Sequence, residues 1–473
     1  AVDPLINKGR TGAASTISDS TVRALPTLSR NFTDFVVASP QVIAAPGGSP
    51  SIAGSNNRFN NIQIDGAVNN DLFGLGSSGV PGGQNENARP IPLDAVKQFQ
   101  VLVSPFDVRQ GGFTGGLINA VTKSGTNEWH ADAWVQAQNQ GLVGKDSAGN
   151  ALSSFNTTRF GGSLGGPIVK DKAQFFVSAD IQHSLTPFSG QLLAGANGTL
   201  AQQFADTLQT LYGIGAGTAG TFNANNPATN LFAKVNAQVS QNSQLELSEN
   251  YGKTTADNIY AGRSTNGNFA LTSNMYQITN KTNSLRLKLT SVLGQRYNNE
   301  LIAGYQSVSD NRPPNSPYAT IQLTGTGGVF LLAGAERFSQ ANTLDQKIFE
   351  LTDNLSFDLN DKNRLTVGTH NEFFGFTNVF FPQSIGQWNF GTLDSLALGL
   401  PNSYTRALTG AQAGIPGGRT DGPVADFNVH QFGLYVQDQF TPSPKMTIQV
   451  GLRADDPTFP TKPAFNQQLS DSM

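Results

Sequence analysis

From Glu128 onward, polar and apolar residues alternate with period two through long segments, and no other feature limits the possible folds as strongly. In 175–182, Phe175, Val177, Ala179 and Ile181 fall on one side of an extended chain and Phe176, Ser178, Asp180 and Gln182 on the other. In 284–290, Leu285, Leu287 and Leu289 oppose Arg286, Lys288 and Thr290; in 231–239, Ala233, Val235, Ala237 and Val239 oppose Lys234, Asn236 and Gln238. The segment 445–453 sets Met446, Ile448, Val450 and Leu452 against Thr447, Gln449, Gly451 and Arg453. Strands of this kind offer one face to an apolar medium and the other to water. A soluble β-sandwich satisfies the same pattern, so length has to separate the two. The stretches 276–292, 297–308, 343–359 and 364–380 exceed the ~5–6 residues of an ordinary globular strand. They suit strands that cross a bilayer at a tilt and project beyond it.

The segment 106–137, FDVRQGGFTGGLINAVTKSGTNEWHADAWVQA, marks where this pattern begins. Gly111, Gly112, Gly115 and Gly116 permit tight turns and close backbone approach, and Leu117, Ile118, Ala120 and Val121 supply a short buried strand. After Gly125, Trp129, Ala131, Ala133 and Val135 alternate with Glu128, His130, Asp132, Trp134 and Gln136, as in a strand between lipid and a wet lumen with an aromatic residue at the interface. Upstream, short elements separated by Gly, Pro and Asn predict a small α/β unit over 1–127, ahead of a barrel over 128–473. Val22, Leu25, Leu28, Phe32, Phe35 and Val36 recur at helical spacing. A short helix in 93–99 is expected to lead into a strand, with further strands at 61–65 and 99–103.

Composition agrees with strands in a membrane and excludes several other classes. Charged residues make up 13% and hydrophobic residues 38% of the 473, and no apolar run approaches the ~18 residues of a membrane-spanning helix. A mean hydropathy of −0.26 does not exclude a barrel, because only half of each strand meets lipid. A net charge of −3 without a Lys/Arg cluster argues against nucleic acid as a partner. The absence of cysteine removes disulfides, thiolate metal sites and thiol nucleophiles. The four histidines, His130, His183, His370 and His430, lie far apart without metal-ligand spacing, and no G-x-S-x-G elbow is present. Gly215, Gly217 and Gly220 fit G-x-G-x-x-G but lack the strand before and helix after that a dinucleotide site needs. No catalytic residue, metal or cofactor is expected, and the chain is not expected to be an enzyme.

Four blocks resemble the TonB-dependent outer-membrane receptors, and within them the Oar-like branch: RFNNIQIDGAVNNDLFG (58–74), PIPLDAVKQFQVLVSPFDVRQGGFTGGLINAVTKSGTN (90–127), RFGGSLGGPIVKDKAQFFVS (159–178) and QFGLYVQDQFTPSPKMTIQVGLRADDP (431–457). The resemblance implies an all-β-dominated membrane barrel with a small N-terminal α/β plug. About eleven antiparallel strands are expected against the ~22 of large plugged barrels, and the chain ends at FNQQLSDSM without an aromatic strand end. A fragment carrying the plug and the first half of the barrel is therefore expected. The N-terminus, AVDPLINKGRTG, has no signal-peptide pattern, so either a leader has been removed or the chain starts partway through a longer one.

Within the resemblance, Arg58, Asp65, Gly66, Arg109, Gly111, Gly112, Gly115, Gly116 and Asn119 fall on the plug signature, with Arg109 a candidate latch to the barrel wall. Asn69, Asn70, Asp71 and Phe73 occupy a loop expected to face a ligand. The implied function is import of a scarce solute, such as a siderophore, carbohydrate or peptide, by energised plug displacement. The implied partners are outer-membrane lipid, a small solute and a TonB-type inner-membrane complex acting through a segment not identifiable here. The alternative is a surface or adhesion protein anchored by its barrel. Long loops at 199–212, expected to be helical from a Thr199 cap to Gly213, and at 382–426 would lie outside the cell.

Overall fold

The computed structural model describes residues 14–25, 27, 30–44, 50–74, 79–81, 88–103, 106–145, 149, 153–188, 191–294, 296–409, 412 and 423–461. The N-terminal unit contains β1 (Ala14–Ser18), α1 (Asp19–Ala24), α2 (Phe32–Val36), β2 (Val42–Ala44), β3 (Pro50–Ile52), β4 (Asn61–Ile64), β5 (Ala67–Val68), β6 (Val96–Leu102) and β7 (Leu117–Thr122). Five of these strands form one sheet in the order β1-β6-β7-β4-β5, in which only β4 and β7 run parallel. Its core gathers Phe35, Ile64, Phe99 and Ile118, with the Phe35 and Phe99 rings stacked at 6.3 Å.

The helical spacing over 22–36 divides into two short helices, because Leu25 precedes Pro26 and is extended (φ −81°, ψ 120°), as a residue before proline prefers. Asn31 and Asp34 start the second helix with a reciprocal capping box. Leu28 lies outside the described residues. The helix expected in 93–99 is a single 3-10 turn, Leu93–Ala95, with the strand already under way at Val96.

The second unit begins with β8 (His130–Asn139), β9 (Asn156–Val169) and β10 (Ala173–Pro187). It continues through α3 (Gly195–Tyr212), β11 (Asn223–Asn225), β12 (Ala228–Ser240), β13 (Ser243–Asn258), β14 (Asn268–Ala270), β15 (Tyr276–Leu293) and β16 (Tyr297–Asn311). Then follow β17 (Thr320–Thr324), β18 (Phe330–Ala333), β19 (Asn342–Asp358), β20 (Asn363–Phe380), β21 (Gln387–Phe390), α4 (Leu393–Ala397), β22 (Ser403–Thr405), β23 (Val424–Ser443) and β24 (Met446–Thr458). Eleven long strands pair with their sequence neighbours in an antiparallel wall from β8 to β24, and β11 adds to β10 as a twelfth. The turns at one end have two to four residues, whereas the connections at the other have 16 to 43. That asymmetry places the turns on the periplasmic side and the long loops outside.

The wall is apolar outside and polar inside. Val177, Leu231, Leu247, Leu285 (44% exposed), Phe349 and Leu434 point outward, whereas Arg159, Asp180 (1% exposed), Gln182, Lys234, Asn250 and Arg286 are buried on the concave face. Tyr297 and Phe357 pair near the turns, and Phe373 contacts Phe349 and Phe432 nearer the loops. From Tyr297 to Tyr305 on β16 is roughly 26 Å along the strand at ~3.3 Å per residue. At a tilt near 40° this is roughly 20 Å of membrane thickness, close to the ~25 Å apolar band of such barrels.

The outer loops fold together. Short strands from three of them make one sheet, β14-β18-β17-β21-β22, and α3 and α4 contribute Phe204, Leu208 and Leu396 to a core with Phe269, Leu323 and Leu331. The helix α3 starts at Gly195 rather than Thr199 and has no side-chain cap. Asn197 in its first turn instead bonds Thr326 of another loop (Nδ2 to O, 3.0 Å), so a tertiary contact sets the helix start. Its end at Gly213 (φ +65°) is the glycine stop expected. Phe204 and Leu208 are buried on this helix, whereas Leu211 is exposed. The excursion after Pro382 contains β21, α4 and β22, while most of 410–422 lies outside the described residues.

Candidate functional site: the boundary between the N-terminal unit and the wall

Asp65 and Gly66 form the two-residue turn between β4 and β5, both with positive φ (50° and 87°). This is the backbone that favours Asp-Gly in tight hairpins. The turn sets the Asp65 carboxylate facing both β7 and the wall. It accepts from Thr122 N (2.8 Å) and Thr122 Oγ1 (2.6 Å), and from Lys234 Nζ of β12 at 3.2 Å. The same ammonium reaches Glu246 on β13 at 2.7 Å. Burial alone would raise the carboxyl pKa of Asp65, but Lys234 and the Thr122 hydrogen bonds outweigh it and hold the group below its ordinary value. Asn119 on β7 accepts from the Gly66 amide (3.1 Å).

The DVRQGG loop meets the other side of the wall. The Arg109 guanidinium bonds Asp107 of its own loop (Nε to Oδ1, 2.9 Å) rather than a wall group. A carboxylate two residues away closes a local fork before any wall residue is in reach. Burial opposes the Arg109 charge, yet Asp107 raises its pKa above the ordinary value. The wall itself supplies the arginine: Arg453 of β24 donates from Nη1 to Val108 O (3.0 Å) and Arg109 O (3.3 Å), and Gln437 of β23 accepts from Val108 N (3.1 Å). Gly111 lets that guanidinium close in, since a Cβ there would stand 2.5 Å from it. Gly115 and Gly116 lie as tightly against Phe59 and Ile52, and Gly112 is a left-handed turn residue.

The loop expected to face a ligand is held mainly by protein. Asn69 is buried and accepts from Gln306 of β16 (2.8 Å), Asn70 caps Ile62 N (2.7 Å), and the Asp71 amide bonds Gly79 O (2.9 Å). Phe73 meets the wall's Phe376 edge to face at 5.2 Å. Arg58 reaches over the loop's end to Gly74 O (3.0 Å). Asn69 and Phe73 therefore serve the boundary, Asn70 and Asp71 hold the loop within the N-terminal unit, and Phe73 keeps the greatest exposure of the four.

Several contacts carry no sequence signature. Arg89 of the N-terminal unit and Arg159 of β9 both donate to Gln182 of β10 (3.2 and 3.0 Å). Arg30 lies over the Trp134 ring at 4.0 Å while pairing with Asp94. Phe176 and Phe232 of the wall join the N-terminal unit's own core, so the boundary is polar with one apolar spot. Alternation marks Lys234, Gln306, Gln437 and Arg453 as inward-facing, but nothing local to them names their partners. His370 lies between Glu350 and Glu372 (3.6 and 3.5 Å) on the inner wall, a neighbourhood its sequence spacing does not suggest.

Below this boundary, toward the short turns, lies a cavity of about 1180 Å³ lined by Asp65, Arg109, Lys234, Glu246, Lys288 and Glu300, among others. Its wall carries charges of alternating sign: Lys234 pairs with Glu246, Glu246 and Lys288 are register partners, and Lys288 pairs with Glu300 at 2.9 Å.

A family model described as outer membrane beta barrel domain matches residues 121–191 and 184–470. The TonB-dependent transporter Oar of Myxococcus xanthus is 33% identical over 135 residues, 27% of this chain and 12% of that protein. The ferrienterobactin receptor of Escherichia coli (strain K12) is 23% identical over 380 residues, 77% of this chain and 43% of that protein. Among solved structures, the outer membrane transporter YddB from Escherichia coli matches with a TM-score of 0.67 at 12% identity, covering 94% of this chain and 56% of that one. The siderophore receptor PirA from Pseudomonas aeruginosa matches with a TM-score of 0.56 at 14% identity, covering 95% and 56%. The chain thus spans less than half of these two relatives' sequences and little more than half of the similar structures. With its lipid-facing apolar exterior and its family match, the chain is an outer-membrane protein that belongs to the outer-membrane β-barrel family, and it is similar in sequence to the TonB-dependent transporter Oar.

Proposed function

We propose that the protein is the plug (1–127) and leading barrel part (128–473) of a receptor that imports a scarce solute by energised plug displacement. The observation that carries this reading is the fit of a folded N-terminal unit against a concave polar wall through mostly polar, exchangeable contacts. A plug held by hydrogen bonds and ion pairs beside a wet cavity can move under force, because water replaces each partner as it leaves. The outer membrane has no nucleotide pool, so the force has to come from a TonB-type complex in the inner membrane. The solute belongs to the range of siderophores, carbohydrates and peptides, with no catalytic step. The folded outer subdomain favours a second reading, in which the barrel anchors a surface that contacts other cells or matrix.

The test is solute accumulation by cells that express the full-length parent protein, with and without the proton gradient. Gradient-dependent uptake that vanishes on gene deletion supports import. Loss of adhesion on deletion, with import of every tested solute unchanged, overturns it in favour of the second reading.

A further inference from the structure

We propose that Lys234 is an exchange post for the plug: it holds Asp65 in the closed state, and its standing partner Glu246 keeps the ammonium compensated when Asp65 leaves. This rests on the plug-displacement reading and concerns how the plug is let go. An ammonium has three hydrogens to donate, and here Asp65 Oδ2 (3.2 Å), Thr122 Oγ1 (3.1 Å) and Glu246 Oε2 (2.7 Å) take them. Two of those acceptors belong to the plug and would leave with it. Glu246 belongs to the wall, sits on the strand next to Lys234 and borders the cavity.

Breaking a buried ion pair is strongly destabilising when it strands a charge away from water. Neither partner is stranded in this arrangement. Asp65 keeps the two Thr122 hydrogen bonds, which travel with the plug. Lys234 keeps the shorter of its two carboxylate contacts. Glu246 is thus a positioning residue for release: it makes the open state tolerable while leaving the closed pair intact. A group that merely stabilised the fold would tighten or loosen plug and barrel together, whereas an exchange partner moves the open state alone.

The experiment uses the full-length parent protein in lipid vesicles and measures the force and rate of plug extraction by pulling on its N-terminus. Asp65→Asn is expected to speed plug release about tenfold, and Glu246→Gln to slow it by a similar factor, since Lys234 then depends on the plug. Glu246→Asp is expected to restore the original rate, and Glu246→Gln to have no effect in a Lys234→Met background. Release that Glu246→Gln speeds or leaves unchanged, or an effect of Glu246→Gln that persists without Lys234, overturns the exchange. If the Glu246→Gln barrel does not assemble, the signed shift is read from Glu246→Ser instead. Failure of gradient-driven uptake with the exchange signature intact would count against the import function and not against the exchange.

Discussion

Removing the Arg453 side chain should free the DVRQGG loop from the wall without disturbing either folded unit. Its Nη1 donates to Val108 O at 3.0 Å and to Arg109 O at 3.3 Å, and the side chain is only 11% exposed. Hydrogen bonds to a charged group contribute ~1.5–3 kcal/mol each. The second of these is long, and the neighbouring cavity lets water reach the freed carbonyls. A net loss of about 1.5–2 kcal/mol follows, or roughly a 10- to 30-fold rise in the population of the detached loop. Gln437 still holds Val108 N in the variant, so the plug core should stay docked.

Hydrogen exchange by mass spectrometry on peptides over 106–112 reads this directly, because exchange through local opening scales with the open population. Arg453→Gln should raise those rates by the stated factor and leave β6 and β7 unchanged. Arg109→Gln should have a smaller effect, since its guanidinium serves Asp107 within the loop. Unchanged exchange in Arg453→Gln, or a larger change in Arg109→Gln, would refute the assignment of the grip to the wall's arginine.

Two further outcomes follow from the same geometry. Asp65 has a folded pKa below its unfolded value of about 3.9, so its stabilisation is fully present above that value and is lost as pH falls through the lower folded one. Plug extraction force should therefore be flat from roughly pH 5 to 8 and drop only below about 4, and Asp65→Asn should remove that drop. Arg263 clasps two outer loops by donating to Ala270 O (2.9 Å), Ala219 O (3.2 Å), Thr218 O (2.8 Å) and Gly220 O. Arg263→Met leaves those carbonyls without their partner at a cost of at least ~3 kcal/mol, so limited proteolysis on whole cells should cut within 188–227 or 259–275 while the barrel stays folded. Resistant loops would contradict the clasp.

How much of this was legible in the sequence differs from element to element. The four long stretches expected at 276–292, 297–308, 343–359 and 364–380 are β15, β16, β19 and β20, within a few residues at each end. Their faces could be read because period two fixes which residues share a side, and a lipid boundary allows only one answer. The outer subdomain was not readable: β14, β18, β21 and β22 have three or four residues each, too few for periodicity, and they become strands only by pairing across loops. The boundary falls between these cases. The resemblance picked out Asp65 and the DVRQGG loop, but assigned the latch to Arg109, where the wall's Arg453 makes the contact to the loop backbone.

By itself, the sequence determined that alternating strands would carry an apolar exterior and a polar interior, because that pattern is local and repeats every two residues. Tertiary structure alone decided which inward side chain meets which plug residue. Lys234 lies 169 positions from Asp65, and Arg453 lies 345 from Val108. Pairs that distant are chosen by how a folded plug seats in a curved wall, and by which carboxylates and carbonyls it leaves within reach of a fixed ammonium or guanidinium.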